Sequence, residues 1–352
     1  MKELVSVVMP HYNTNVDYLE KAINSIMQQD YDNIEFIIVD DRSEQKYWNA
    51  LCKLVDGKKN VLLLRNEENL GVAYTLNVGL REANGKYIFR MDADDISLAK
   101  RISTSVKYMD SHPHIDIAGT AYRYMINNKV SPKKPYMYKT NNDIKTGLLW
   151  GNVYCHPTVC FRKSFIEKFG IEYFTNEKSE DYGLWVRCAK LGASFGLIDE
   201  VLYLYRVHEN QVTYYSTNRL KESSYQIREN FFKSLGINLD KRQFEVYNEW
   251  AFDLIRDSKS LKQGNEMFYK VIGQVPEEYV NSVELSKCAI RKFIRRHCKL
   301  AILGYSFSSS CFLESEMGKR IRMQLLIYIF IKILCVFGII SSWARGEYEK
   351  CS

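Results

Sequence analysis

The stretch "GKYIFRMDADD" (85–95) runs an apolar, strand-like segment directly into three carboxylates, Asp92, Asp94 and Asp95. Like charges this close repel, and burying them is costly unless a cation neutralises them. On an extended backbone, residues two apart share a face, so Asp92 and Asp94 point the same way. Such a pair suits a hard divalent ion, Mn2+ or Mg2+, which takes carboxylate oxygens and keeps positions open for substrate phosphates. The second D-x-D, "DYD" (30–32), precedes a strand instead of ending one and reads as a turn.

Outward from this stretch the pattern is regular. Apolar runs at 4–9 (stopped by Pro10), 34–41, 60–66 and 86–92 read as buried strands. Between them lie helices after residue 16, over 43–55, and over 71–85, the last closed by "NG" as a C-cap. This alternation predicts an open, mostly parallel α/β sheet flanked by helices. Ligands of such sheets sit beyond the carboxyl ends of the strands. Those ends carry Pro10–Tyr12, Asp40–Asp41, Arg65–Asn66 and Asp92–Asp95, so one rim collects polar groups from four strands. Further on, 115–126, 155–162 and 201–208 read as strands and 180–192 as a short helix. From about 216 the chain reads helical, which sets a catalytic domain at 1–215 and a helical C-terminal region at 216–352.

The rim groups fit a nucleotide. Asp40 or Asp41 can accept from a base N–H or a ribose hydroxyl, Tyr12 can stack on a base, and Arg65 can pair with phosphate. Neither a G-x-x-x-x-G-K-[ST] loop nor a G-x-G-x-x-G after the first strand is present, which argues against a P-loop kinase, a nicotinamide dehydrogenase and a nucleotidyltransferase.

The net charge of +7 is uneven: residues 286–352 sum to +8 and the remainder to −1. Within that tail "MQLLIYIFIKILCVFGII" (323–340) has one charge, Lys332. Basic clusters beside an apolar helix predict contact with an anionic membrane surface, spanning or in-plane, and argue against a nucleic-acid partner. The odd number of cysteines, nine, without C-x-x-C, predicts free thiols in a reducing compartment. The expected location is cytoplasmic, at the inner face of the cell membrane.

"VSVVMPHYN", "IEFIIVDDRS", "RNEENLGVAYTLNVGL", "ANGKYIFRMDADD", "HPTVCFRKS", "SEDYGLWVR" and "YRVHENQVT" together resemble, in order and spacing, the family 2 glycosyltransferases over residues 4–213. The resemblance implies a GT-A fold and an inverting, metal-assisted transfer from a nucleotide-sugar donor to a glycan or lipid-linked saccharide acceptor, in surface polysaccharide synthesis. It implies nucleotide contacts at Pro10, Tyr12, Asp40, Asp41 and Arg65, a ribose- or diphosphate-side acid at Asp92, a metal ligand at Asp94, and a general base at Asp181. It also implies a histidine at His208 that reaches the metal or diphosphate. Two positions depart from the pattern: Arg42 stands where Gly is usual and Gly183 where Asp is frequent. Glu180 can raise the pKa of Asp181 by repulsion, His156 can sit near the acceptor, and Trp150 and Tyr154 offer either a sugar-stacking platform or core. A non-catalytic nucleotide- or carbohydrate-binding subunit is the alternative, although such a module needs no base.

Overall fold

The computed structural model describes residues 2–133, 136, 138–208, 217–252, 254 and 258–302. The chain divides into two compact units, Met1–Phe231 and Phe232–Ser352. The boundary read at 215/216 lies outside the described residues.

In the first unit β1 (Val5–His11), β2 (Ile34–Asp40), β3 (Val61–Arg65) and β4 (Tyr87–Arg90) form the parallel half of one sheet, in the order β3-β2-β1-β4. Helices α1 (Val16–Met27), α2 (Gln45–Val55) and α3 (Val72–Glu82) connect them. Leu19, Ile23, Ile26 and Leu51 pack with Val5, Val7, Met9, Phe36 and Ile38 on one face. On the other, Gly79 lets α3 lie against Val8 and Val39. Cover on both faces explains why these strands read as unbroken apolar runs.

The sheet continues through β8 (Cys160–Arg162), β6 (Ile117–Ile126), β9 (Phe195–Val207) and the two-residue β5 (Ile96–Ser97), with β7 (Lys129–Val130) paired to β6. Here β4–β8, β6–β8 and β5–β9 are antiparallel, while β6–β9 is parallel. Helices α4 (Arg101–Ser111), α5 (Asn141–Leu148), α6 (Lys163–Phe169), α7 (Glu180–Lys190) and α8 (Thr217–Ser234) complete the order up to the second unit.

Three details differ from the sequence reading. Strand β1 does not stop at Pro10 but runs to His11. Val8 O accepts from Met91 N and His11 O from Asp41 N, so alternation turns the Pro10 nitrogen toward β4, which has already ended at Arg90; no ladder bond is lost. Helix α3 ends at Glu82 with Ala83 as its C-cap, so "NG" is not the cap. Gly85 serves close approach instead: a Cβ there would stand 2.6 Å from the Val5 backbone, and Glu35 Oε1 and Ser6 Oγ take its N–H. Finally, 155–162 is not one strand. His156–Thr158 is a 3-10 turn with Pro157 near its start, and only Cys160–Arg162 pairs.

The second unit contains α9 (Lys241–Ala251), α10 (Ser258–Ile272) and α11 (Ser282–Ile302). Asp240 opens α9 with a capping box to Gln243, and Trp250 stacks on Phe268 at 4.2 Å while its Nε1 donates to Asn265 (2.9 Å). No helix among the described residues is long and apolar enough to cross a membrane. The apolar run 323–340 lies outside them.

Gly85→Ala should lower the unfolding free energy by about 2 kcal/mol or more, since the new Cβ meets backbone that cannot rotate away. Urea denaturation measures this; an unchanged midpoint would refute the close approach.

Candidate functional site

The parallel register lines up His11, Asp40 and Arg65 across β1, β2 and β3. Their side chains join: His11 Nδ1 lies 2.8 Å from Asp40 Oδ1, Arg65 Nε lies 3.0 Å from Asp40 Oδ2, and Ser43 N donates to the same oxygen. Burial works to raise the Asp40 pKa, but the hydrogen bonds from His11 and Ser43 outweigh it and hold the carboxyl below its ordinary value. Asp41 is equally engaged, accepting from Asn66 Nδ2 and Leu70 N through Oδ1 and from Gly71 N through Oδ2. Both expected nucleotide contacts therefore turn their oxygens on the protein and brace the loops at 41–43 and 66–71. Arg65 also donates to Ser43 O (2.7 Å) and lies over Trp48, while Tyr12 is 52% exposed on the same rim and Pro10 is half-buried. Arg42 holds a left-handed φ of +62°, the reason glycine suits that turn.

At the next strand end Asp92, Asp94 and Asp95 place carboxylate oxygens within 4.8 Å of one another. Arg90 Nη1 reaches Asp92 Oδ2 at 2.5 Å. His208 Nε2, at the end of β9, lies 2.8 Å from Asp94 Oδ2. Asp95 is fully buried; its Oδ1 accepts from Arg206 N, and Arg206 Nε donates to Asp94 O (2.6 Å) with the guanidinium over Tyr18. Tyr203 Oη accepts from Asp92 N, and Arg101 ties Arg90 O to Pro157 O. Burial pushes the pKa of Asp92 up despite Arg90, and burial with Asp94 and Asp92 nearby pushes that of Asp95 well up. The donor set fits a hard divalent ion. Adjacent ligands at about 2.1 Å on an octahedral ion stand about 3 Å apart, close to the Asp94–His208 separation, and Asp95 Oδ2 is buried with no hydrogen-bond partner among the described residues.

Asp181 lies in the first turn of α7. Its Oδ1 accepts from Tyr182 N (2.7 Å) and its Oδ2 from Asn152 Nδ2. Burial raises its pKa against those hydrogen bonds, and its charge in turn raises Asp92. Glu180 is shifted further, to about 8, by burial and then by Asp181. His156 is buried, with Nε2 on Tyr173 Oη (2.7 Å) and Nδ1 3.9 Å from Glu180. Trp150 and Tyr154 are core and offer no exposed platform: Trp150 Nε1 donates to Tyr138, and Tyr154 donates to Gly196 O and packs on Trp185. At Gly183 a Cβ would collide with Glu177, which pairs with Arg187 at 2.6 Å. The sequence reading missed Asn152, in a loop, and Arg90 and Arg206, at the ends of β4 and β9. Cys52, Cys155, Cys160, Cys188 and Cys288 are free thiols.

The family model "Glycosyl transferase family 2" matches residues 6–169. An uncharacterized glycosyltransferase of Methanocaldococcus jannaschii is 35% identical over 58% of this chain and 71% of its own length. The Escherichia coli UDP-Glc:alpha-D-GlcNAc-diphosphoundecaprenol beta-1,3-glucosyltransferase WfaP is 28% identical over 68% of this chain and 90% of its own. Among solved structures, mannosyltransferase PcManGT from Pyrobaculum calidifontis in complex with GDP-Man and Mn2+ is similar in fold, with a TM-score of 0.56 and 17% identity over 86% of this chain and 84% of that one.

Glu180 carries a pH signature. With its folded pKa near 8 against an ordinary 4.5, the unfolded chain releases a proton that the native state keeps. Stability should fall as pH rises from about 5 to about 8, and Glu180→Gln should flatten that fall. Urea titrations of the nucleotide-free protein measure it; parallel slopes would refute the shift.

Proposed function

The chain belongs to glycosyl transferase family 2, and from that premise we propose that it moves a sugar with inversion from a nucleotide-diphosphate donor to a hydroxyl of a glycan or lipid-linked acceptor, in surface polysaccharide synthesis. The observation that supports this best is the meeting of two devices at one rim. One is the Asp94–His208 pair; the other is the carboxylate of Asp181, close enough for its charge to act on Asp92.

In this reading Asp94 and His208 hold Mn2+ or Mg2+, which when bound supplies positive charge to the leaving diphosphate. Asp181 accepts the proton of the acceptor hydroxyl as its oxygen bonds to the anomeric carbon and the bond to the diphosphate breaks. The raised pKa of Asp181, set by burial, makes it a better proton acceptor than an exposed aspartate. Asp92, paired on one oxygen with Arg90, faces the ribose or diphosphate side. Tyr12 and Arg65 meet the nucleotide directly, while Pro10, Asp40 and Asp41 shape its pocket from behind. The positive, apolar segment 286–352 brings the enzyme to an anionic membrane surface where a lipid-linked acceptor resides.

Asp94→Ala should lower metal-dependent transfer at least about 100-fold, read on a panel of nucleotide sugars with and without Mn2+; unchanged turnover would overturn the metal assignment. Asp181→Asn should keep donor binding and lose transfer by about 100- to 10,000-fold, whereas an equal loss of donor binding would remove Asp181 from the role of base. Deleting 286–352 should release the protein from anionic vesicles in a sedimentation assay, and a truncated form that still sediments refutes the membrane reading.

A further inference from the structure

Helix α8 lies beyond the residues matched by the family model, yet it is bonded to both supports of Asp181. The first support is the start of α7. Ser179 occupies the N-cap position but makes no side-chain bond to its own helix, the usual task of a serine there. Its Oγ instead donates to Leu220 O (2.9 Å) and shares a hydrogen bond with Ser224 Oγ (2.7 Å). Ser223 Oγ accepts from Lys178 N and Ser179 N. The second support is the loop after α5. Arg228, one turn along from Ser224 and fully buried, donates from Nη2 to Trp150 O at 2.9 Å. Its guanidinium lies over the ring of Tyr182, whose hydroxyl donates to Leu148 O. Two residues past Trp150 stands Asn152, itself exposed, whose amide holds Asp181 Oδ2.

We propose that α8 is a positioning clamp for Asp181: Ser223 and Ser224 fix the helix turn that carries the carboxylate, and Arg228 fixes the loop whose Asn152 sets its rotation. The inference rests on the reading of Asp181 as base. A buried guanidinium is costly to desolvate, and here it gives one nitrogen to a loop carbonyl and lies over an aromatic face. The need is geometric. A base must sit in line with the attacking hydroxyl, and a displacement of about 1 Å costs on the order of 100-fold. An exposed asparagine cannot hold a carboxylate reproducibly unless its own backbone is pinned. The pin is at Trp150, and Gly151 between them carries no side chain; Arg228 Nη2 is 3.9 Å from where its Cβ would stand.

The test is a double-mutant cycle on the full-length chain with Arg228→Met, Asn152→Ala and the pair. Each single variant should lower acceptor-directed kcat by about 10- to 100-fold with donor binding within about twofold. The pair should lose clearly less than the product of the two single losses, because both substitutions act on the bond from Asn152 to Asp181. Arg228→Lys, which restores a donor, should recover part of the loss. If Arg228→Met does not fold, Ser224→Ala replaces it in a cycle with Asn152→Ala. There a loss confined to acceptor-directed kcat is expected, and the losses multiply because the two supports are separate. Multiplied losses for Arg228→Met with Asn152→Ala, an intact Asn152→Ala or Ser224→Ala enzyme, or equal loss of donor binding overturns the clamp. Asp181→Asn separates the two readings: if it retains transfer, the base assignment fails, whereas an inactive Asp181→Asn beside any of those outcomes fails the clamp alone.

Discussion

Repulsion among carboxylates at one sheet rim is the constraint the first unit is built around. Asp92, Asp94, Asp95, Glu180 and Asp181 converge there, and burial raises the pKa of Asp92, Asp95, Glu180 and Asp181. The protein supplies partial compensation. Arg90 meets Asp92, His208 meets Asp94, and the Arg206 backbone meets Asp95. A divalent ion would offset the remaining repulsion and reverse the local pKa logic. The backbone around the cluster is fixed from several directions at once. Arg101 bonding Arg90 O and Pro157 O, and Tyr203 accepting from Asp92 N, are two of those fixings.

The two halves of the sheet divide the work. The parallel half delivers its groups by register alone: one row across β1, β2 and β3 gives the His11–Asp40–Arg65 chain. The second half cannot, because its groups come from distant segments. Pairing of Ile96 with Leu204 and Ser97 with Tyr203 runs the acidic loop alongside β9 and brings His208 onto Asp94. Gln29 secures that pairing from α1's end, donating to Ser97 O and Leu98 O and accepting from Ile102 N. A two-residue strand thus has an effect out of proportion to its length.

This division explains what was legible in the sequence. The parallel strands, their helices and the rim are local patterns, and the structure has all four strands within two residues of the reading. Gly85 was misread because sequence does not show the sign of φ or what a Cβ would strike; "NG" after a helix looks the same whether it caps or passes a backbone. Pro157 did carry a signal against an unbroken strand over 155–162, since proline starts a turn more readily than it joins a central ladder. The Asp94–His208 pair, 114 residues apart, was reachable only through the resemblance. Asn152 and Arg228 had no route at all: one is a loop amide, the other a charge within a stretch read only as helical.

The two departures from the family pattern end in different physics. At Arg42 the chain keeps the left-handed turn that glycine would take freely, and bears a backbone cost of roughly 1 kcal/mol for a side chain at the rim. At Gly183 another carboxylate lies where a side chain would begin. Glu177, just before α7, fills the room a Cβ would need and pairs with Arg187, which also lies 3.6 Å over Phe174. A carboxylate near the first turn of a helix is favoured by the helix dipole whichever residue brings it. The start of α7 therefore keeps three acids, Glu177, Glu180 and Asp181, although the sequence pattern shows a gap. With no side chain at Gly183, the carboxylate of Asp181 is oriented by Tyr182 N on one oxygen and by Asn152 Nδ2 on the other.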